Sequence, residues 1–236
     1  MIIKPIRTRV FREGEDLLTF IFKHVKKIPE KTVIVVTSKI VSLSEKRVIP
    51  FKTVKEKDEI IRSESEFAMP TKHVWLTIKD GMVMASAGID ESNANGKLIL
   101  LPKNSFDSAV RIRNILKKKL KLKKIGVLIS DSRTEPLRAG VTGAALGYAG
   151  FRGIKDYVGK KDIFGRKFQY SRVNVADSVA AGAVLTMGEG NEQKPLALVN
   201  DSPVEFIERV NRKELLIKIR DDMYSPLFSK FKSPKK

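Results

Sequence analysis

Residues 73–93, HVWLTIKDGMVMASAGIDESN, are the stretch from which the rest of the chain is read. Apolar residues alternate on either side of Asp80-Gly81, a pair that accepts the positive backbone angles of a tight turn. Residues 73–85 therefore predict strand, turn and strand. Gly88 lets the backbone turn away, and Ser86 to Asn93 offers two carboxylates, two hydroxyls and an amide. Those are the donors of a hard cation. Taken alone they are more often the residues of a turn or a helix cap.

Two further places supply matching oxygen donors. IGVLISDS (125–132) reads as a buried strand, and Asp131 and Ser132 fall at its C-terminal end, where strands of α/β proteins open onto a ligand crevice. NVADSVAAGAVLTMGEG (174–190) reads as a helix with Ala176, Val179, Ala180, Ala183, Val184 and Met187 inward and Gly188 as its cap. Glu189 then sits at the negative end of the helix dipole. A carboxylate there is disfavoured by about 0.3–1 kcal/mol unless a cation is near, which leaves a metal, a lysine or plain solvation as its company.

The remaining elements follow from periodicity. VFREGEDLLTFIFKHVKKI (10–28) places Leu17, Phe20, Ile21 and Val25 on one helical face behind Glu13 and Asp16. TVIVVTSKIVSLS (32–44) predicts a buried strand, ending near Ser38-Lys39, then a turn and a short segment. VKEKDEIIRSESEFAM (54–69) predicts an exposed helix stopped by Pro70. LILLPKN (98–104) is a short extended segment. SFDSAVRIRNILKKKLKL (105–122) is a helix capped by Ser105 with Ala109, Ile112, Ile115 and Leu116 inward. Seven of the 15 glycines lie between Gly140 and Gly165. Neither a Walker loop nor GxGxxG is present, and the helical spacing of Gly140, Gly143, Gly147 and Gly150 suits close packing at least as well as phosphate cradling. PLALVND (195–201) gives a last strand, and the remainder reads as one or two basic helices.

Composition sets the limits. With 236 residues, 42% of them hydrophobic, one functional unit is expected. No apolar run is long enough to span a bilayer and the N-terminus is charged from the start, so a soluble cytoplasmic protein with no membrane partner is expected. The absence of cysteine excludes disulfides, thiolate nucleophiles and thiolate-bound zinc. His24 and His73 are the only histidines; both read as surface or structural residues. The net charge of +19, concentrated in residues 111–124 and in the C-terminal KFKSPKK, favours polyanions. No nucleic-acid-binding motif accompanies it, so nucleic acid is not the expected partner.

Together SAGIDESN, LISDS, PLRAGVTGAALGYAG, KDIFGRK and ADSVAAGAVLTMGEG resemble, in order and spacing, the coenzyme F-420:L-glutamate ligase family, from about Glu13 to Val199. The resemblance implies an α+β fold of mixed sheets with flanking helices in two interlocked lobes, a nucleotide groove between them, and a homodimer. It implies a γ-glutamyl ligase domain over 1–215 followed by a basic tail over 216–236. The implied reaction joins L-glutamate to a carboxylate of coenzyme F-420-0 or tetrahydrofolate through an acyl phosphate, with GTP as co-substrate, Mg²⁺ or Mn²⁺ at two sites, and K⁺ as an additional candidate ion.

Carried over motif by motif, Asp90, Asp131 and Glu189 are the catalytic acids. Asp90 and Asp131 match ligands of one metal, Ser132 and Glu189 ligands of a second. Asn93, the run Arg9, Val10, Phe11 and Arg12, the pair Ser38 and Lys39, and the loop of Met187, Gly188 and Gly190 match nucleotide contacts. The residue types suit that chemistry, because oxygen ligands hold hard cations that bridge phosphates. Two departures stand out. Where the family pattern reads SKAEGR, residues 42–47 read SLSEKR, losing a lysine and replacing a glycine by Lys46. Where coenzyme-type members carry an arginine, this chain has Glu135. If that position faces the acceptor, a carboxylate disfavours a phosphodiester and points to the family's folate branch. The competing reading is a catalytically inactive basic binding protein on the same fold; the intact acids argue against it.

Overall fold

The structure, a computed structural model, describes residues 1–228. The chain begins with β1 (Ile2–Ile6), α1 (Leu17–His24), β2 (Thr32–Thr37), α2 (Ser38–Ser44), β3 (Val48–Pro50) and α3 (Val54–Ser63). It continues through β4 (Phe67–Pro70), β5 (Trp75–Lys79), β6 (Met82–Ala85), β7 (Lys97–Ile99), α4 (Ser105–Lys119), β8 (Ile125–Thr134) and β9 (Val141–Ala149). Then come β10 (Ile154–Asp156), β11 (Arg172–Asn174), α5 (Val175–Met187), β12 (Leu196–Asn200) and α6 (Ser225–Phe228). The mixture of sheets and flanking helices is the expected α+β class.

The main sheet has the order β1-β12-β2-β8-β9, in which β2 and β8 run parallel and the other pairs antiparallel. Both faces of β2 are covered, which is why its sequence is a continuous apolar run. Ile34 and Val36 pack with Phe20 and Ile21 of α1 and Ile112 and Leu116 of α4. Val33 and Val35 face α5 through Val179, Ala180 and Ala183. Each fully buried aliphatic side chain here contributes about 1.5–3 kcal/mol. Between α2 and α4 the chain leaves this sheet to build the antiparallel β4-β5-β6 sheet and the β3-β7 pair. Met84 of β6 meets Leu101 and Leu146 in a small cluster that joins the two parts.

Several expectations are corrected. Residues 38–44 form a helix rather than a turn and a further short segment: Ile40 and Val41 are buried beside α1, and that packing overrides their β-branched preference. The helix expected over 54–69 ends at Ser63, because residues 67–70 pair with β5. Asn104, not Ser105, caps α4 by accepting from the Asp107 amide. Residues 2–6 form an edge strand on β12, hidden in the sequence by its short length and charged flanks. The stretch after 201 is irregular, with only a short turn and α6 among the described residues; the tail residues 229–236 lie outside them.

The glycine-rich segment packs closely, as a strand rather than a helix. A Cβ on Gly143 would lie 2.4 Å from the Ala180 carbonyl oxygen of α5, and one on Gly147 would lie 2.5 Å from the Phe106 amide of α4. Strand β9 thus admits a helix backbone against each face. Gly140, Gly159 and Gly165 have open space around them, so they cradle nothing among the described residues.

Candidate active site

The hairpin forms as its sequence requires, with β5 and β6 joined at Asp80-Gly81. Past β6 the backbone makes an unusual turn: Ser86, Ala87 and Gly88 have φ of 48°, 57° and 68°. Three successive left-handed residues are costly for L-amino acids, and the turn is held from outside. The Ala87 amide donates to Thr77 Oγ1 at 2.8 Å, and Gly88 lies so close to the Leu101 side chain that a Cβ there would force Leu101 to move. The turn delivers Asp90, whose backbone is then fixed by reciprocal hydrogen bonds with Ile99.

Asp131 arrives from β8. The ladder between β8 and β9 shifts register opposite Ile129/Ser130, where Leu146 of β9 is the extra residue, while β8 stays in unbroken register with β2 through Ser130 and carries Asp131 just past that pairing. Asp90, Asp131, Ser132 and Glu189 all line one cavity of about 290 Å³. Met82 and Met84 of β6 form one apolar wall; Val141, Ala144 and Leu146 of β9 form another. The cavity lies at the C-terminal ends of β2 and β8, between the main sheet and the β4-β5-β6 sheet.

The three acids differ in their surroundings. Burial pushes the Asp131 carboxyl up to about 7, and Asp90 and Glu189 add repulsion; hydrogen bonds from the Ser132 amide and the Ser38 hydroxyl only partly offset this. Burial also raises Glu189, against a hydrogen bond from the Ser132 hydroxyl and the positive charge of Lys39. Asp90 goes the other way: burial works to raise it, but Lys39 and Ser92 together hold it below the usual carboxylate range. The Lys39 ammonium lies 2.7 Å from Asp90 Oδ2, and the Ser92 amide donates to Asp90 Oδ1 at 2.6 Å. Among the described residues, no three His, Cys, Asp or Glu side chains are placed to chelate a metal by themselves. An ion here would need the Ser132 hydroxyl and oxygens from a substrate beside the carboxylates.

The residues matched to nucleotide contacts form the rim unevenly. Ser38 is buried and Lys39 half-buried, both at the start of α2 and both turned to the acids. Asn93 Nδ2 reaches the Gly190 carbonyl at 3.5 Å, a long contact between the loop after Asp90 and the loop after α5. In that second loop Glu192 Oε2 accepts from the Gly190 amide at 2.9 Å and its carboxylate packs against Gly188. Met187 is buried in the α5 core, so only its backbone faces the loop. The run 9–12 is tied to the same loop through the Thr8 amide and Gln193 carbonyl. Phe11 is buried against Phe20, Val10 and Arg12 are exposed, and Arg9 is engaged by Glu15.

A scan against family models matches residues 5–201 to the F420-0:Gamma-glutamyl ligase family. The coenzyme F420:L-glutamate ligase of Methanococcus maripaludis is 34% identical over 215 residues, covering 84% of this chain and 86% of that protein. The chain belongs to the F420-0:γ-glutamyl ligase family. Further members so named include that of Methanocaldococcus jannaschii, 38% identical over 64% of this chain and 58% of that protein. That of Archaeoglobus fulgidus is 32% identical over 80% of this chain and 83% of that protein. Membership makes this a γ-glutamyl ligase scaffold, an enzyme class that forms amide bonds.

The two departures from the ligase family pattern have structural accounts. Lys46, standing where the pattern has glycine, holds φ 55°, a conformation glycine favours. Leu43, in place of the lysine, packs against the core, and Arg47 is committed to Glu64 and the Leu101 carbonyl. Glu135 does not line the cavity. Its Oε1 accepts from Arg133 Nε at 2.9 Å, while Arg133 Nη2 reaches Asp177 Oδ2 at 3.2 Å. Glu135 thus pairs with the arginine that lines the cavity and does not line it itself. Ser92 and Asp177 are the site neighbours to which the motifs assign no role, whereas Arg133 is expected to supply positive charge to an acceptor's carboxylates and does line the cavity. For Ser92 the signal was its place inside SAGIDESN. For Arg133 and Glu135 it was opposite charge two residues apart, at the end of β8 and just beyond it.

Proposed function

We propose that this chain is a nucleotide-dependent γ-glutamyl ligase that couples the amine of L-glutamate to a carboxylate of coenzyme F-420-0, with GTP as phosphoryl donor. The observation that carries the reading is that acids from three separate segments, Asp90, Asp131 and Glu189, converge on one cavity of a member of this ligase family. In the proposed reaction an acceptor carboxylate oxygen attacks the γ-phosphorus, the bond to the β-phosphate oxygen breaks, and the nucleoside diphosphate leaves. The glutamate amine then attacks the acyl phosphate carbonyl, loses a proton and expels inorganic phosphate as the amide forms. Lys39 offers positive charge beside the reacting groups, the apolar walls keep water from the acyl phosphate, and the rest of the site positions.

The donor set fits Mg²⁺ or Mn²⁺. Crowded carboxylates that keep Asp131 protonated up to about 7 are the environment a divalent cation relieves. Asp90 and Asp131 would hold one ion, Ser132 and Glu189 another, with phosphate oxygens and water completing each shell. Such ions supply charge neutralisation at the transferring phosphoryl group. A homodimer belongs to the same reading, and the exposed Ile163, Phe164 and Tyr170 offer it apolar surface to cover.

Phosphate release with L-glutamate and Mn²⁺, crossing GTP and ATP with coenzyme F-420-0 and tetrahydrofolate, tests this. Release that requires both L-glutamate and F-420-0 is expected, faster with GTP. Folded protein that releases no phosphate in response to either acceptor would return the chain to the inactive, binding-only reading.

A further inference from the structure

We infer that the end of the molecule opposite the cavity is a docking surface for the phosphate backbone of duplex nucleic acid. Helices α1 and α4 lie side by side on one face of the sheet, sharing a groove lined by Asp16, Leu18, Thr19, Ile115, Lys118 and Lys119. Each leads into the start of one of the two parallel strands, so both helices end at the same pole. There the Lys31 amide donates to the Lys124 carbonyl at 2.8 Å, which stitches the two approaching loops together. Lys23, Lys26, Lys27, Lys118, Lys121 and Lys124 are all exposed at this pole.

Three of the nearby acids are already occupied, while Asp201, next to the Asn200 that bonds Thr32 at the start of β2, is exposed. Glu30 accepts from the Lys123 and Lys124 amides at 2.7 and 2.8 Å, Glu208 pairs with Arg113 and Lys117, and Asp16 caps α1. None of the six lysines forms an ion pair within the described residues. Lysine in the last turn of a helix is favourable toward the dipole, which accounts for Lys23 and Lys118. It does not account for Lys26, Lys27, Lys121 and Lys124, which lie in the loops beyond. Substrate capture does not account for them either. Asp131 and Ser38 lie at the far end of β2 and β8, about 20 Å away along a six-residue strand.

The chemistry of the patch selects its occupant. Lysines are mobile point charges suited to phosphate oxygens rather than to base edges. Among the described residues the face carries no strongly exposed aromatic ring on which unpaired bases would stack. Leu120 is its one large apolar side chain with substantial exposure, at 37%, too little for insertion into a lipid surface. A regular array of paired phosphates is the polyanion that remains.

The test is binding of the full chain to a fluorescent 24-base-pair DNA duplex across a salt series. An RNA duplex of that length, a single strand and anionic vesicles serve as further probes. Wild-type protein should bind both duplexes, with affinity falling steeply as salt rises. Replacing Lys26, Lys27, Lys121 and Lys124 by Gln should lower the slope of log affinity against log salt by about three. Replacing the exposed Lys52, Lys55, Lys72 and Lys161 by Gln, or deleting residues 229–236, should lower it less. Thermal unfolding checks that each variant folds. Absence of duplex binding at low salt, equal losses in the control variants, or preference for vesicles or the single strand would each overturn the inference. None of these results depends on ligase turnover.

Discussion

Lys39 at the start of α2 holds Asp90 at 2.7 Å and donates at 3.0 Å to both the carbonyl and the hydroxyl of Ser92. One ammonium thus fixes the loop that carries an active-site acid and keeps that acid ionised. Lys39→Met removes charge-assisted bonds of about 1.5–3 kcal/mol each. We expect kcat/KM to fall at least ten- to hundredfold, with the unfolding midpoint changed far less. Phosphate-release kinetics on the purified variant decide the matter, and unchanged kinetics would remove Lys39 from the site.

Asp90→Asn and Asp131→Asn should each cost several orders of magnitude in turnover, because a metal clamp contributes several kcal/mol to a phosphoryl-transfer transition state. Metal titration of the folded variants separates causes: weakened Mn²⁺ binding is expected alongside lost activity. Either variant retaining near-normal turnover would undo the proposed ligand set.

The raised Asp131 carboxyl gives stability a sign with pH. Between its unfolded value of 3.8 and about 7, the native state keeps a proton that the unfolded chain has released, so raising pH through that window costs stability. The full difference is about 4 kcal/mol at about 1.4 per unit. Glu189, also raised, acts in the same sense. Asp90, lowered beside Lys39, contributes stability that is lost only on acidification below 3.8. The unfolding temperature of metal-free protein should therefore fall between pH 5 and 8, Mn²⁺ should abolish much of the fall, and Asp131→Asn should flatten it. A flat metal-free profile in the wild type would contradict the carboxylate crowding.

Much of this site is legible in the sequence, but unevenly. The hairpin and its Asp80-Gly81 turn are local, as is the placing of Asp131 at the end of an apolar strand; a short window contains all the physics. Helix α2 is not legible, because Ile40 and Val41 look like a strand until the core beside α1 claims them. Nor is the pairing of Lys39 with Asp90, which exists only once β2 and the β3-β7 pair bring two distant loops together. The left-handed turn at Ser86 and Ala87 is invisible for a related reason: Thr77 and Leu101 hold it from elsewhere in the chain. Glu135 is legible in part: its position among the motifs marks it as a departure, but its bond to Arg133 two residues earlier shows only in the fold.

That ion pair leads to a test of acceptor choice. Glu135→Arg removes the carboxylate that neutralises Arg133 and adds a second positive group near the cavity. The ratio of kcat/KM for F-420-0 over tetrahydrofolate should rise about tenfold, about 1.4 kcal/mol of discrimination. A ratio that stays constant would place acceptor recognition away from Arg133.

Gly143→Ala and Gly147→Ala test the packing that holds the cavity wall. Each new methyl meets backbone of a helix within 2.5 Å, and neither helix can retreat without opening the core. Losses of about 1–3 kcal/mol or more are expected in denaturant unfolding. Gly140→Ala would meet no neighbouring atoms, leaving only the cost of its φ of 88°, and should be milder.

The single parallel pairing in the main sheet, β2 beside β8, has a consequence for orientation. It carries Asp131 to one end of the pair and leaves the exposed Lys26, Lys27, Lys121 and Lys124 in the loops at the other. Docked as inferred above, the protein would settle with this basic pole against the duplex. Its cavity then faces open solvent, and substrates arrive without having to pass between the protein and whatever it rests upon.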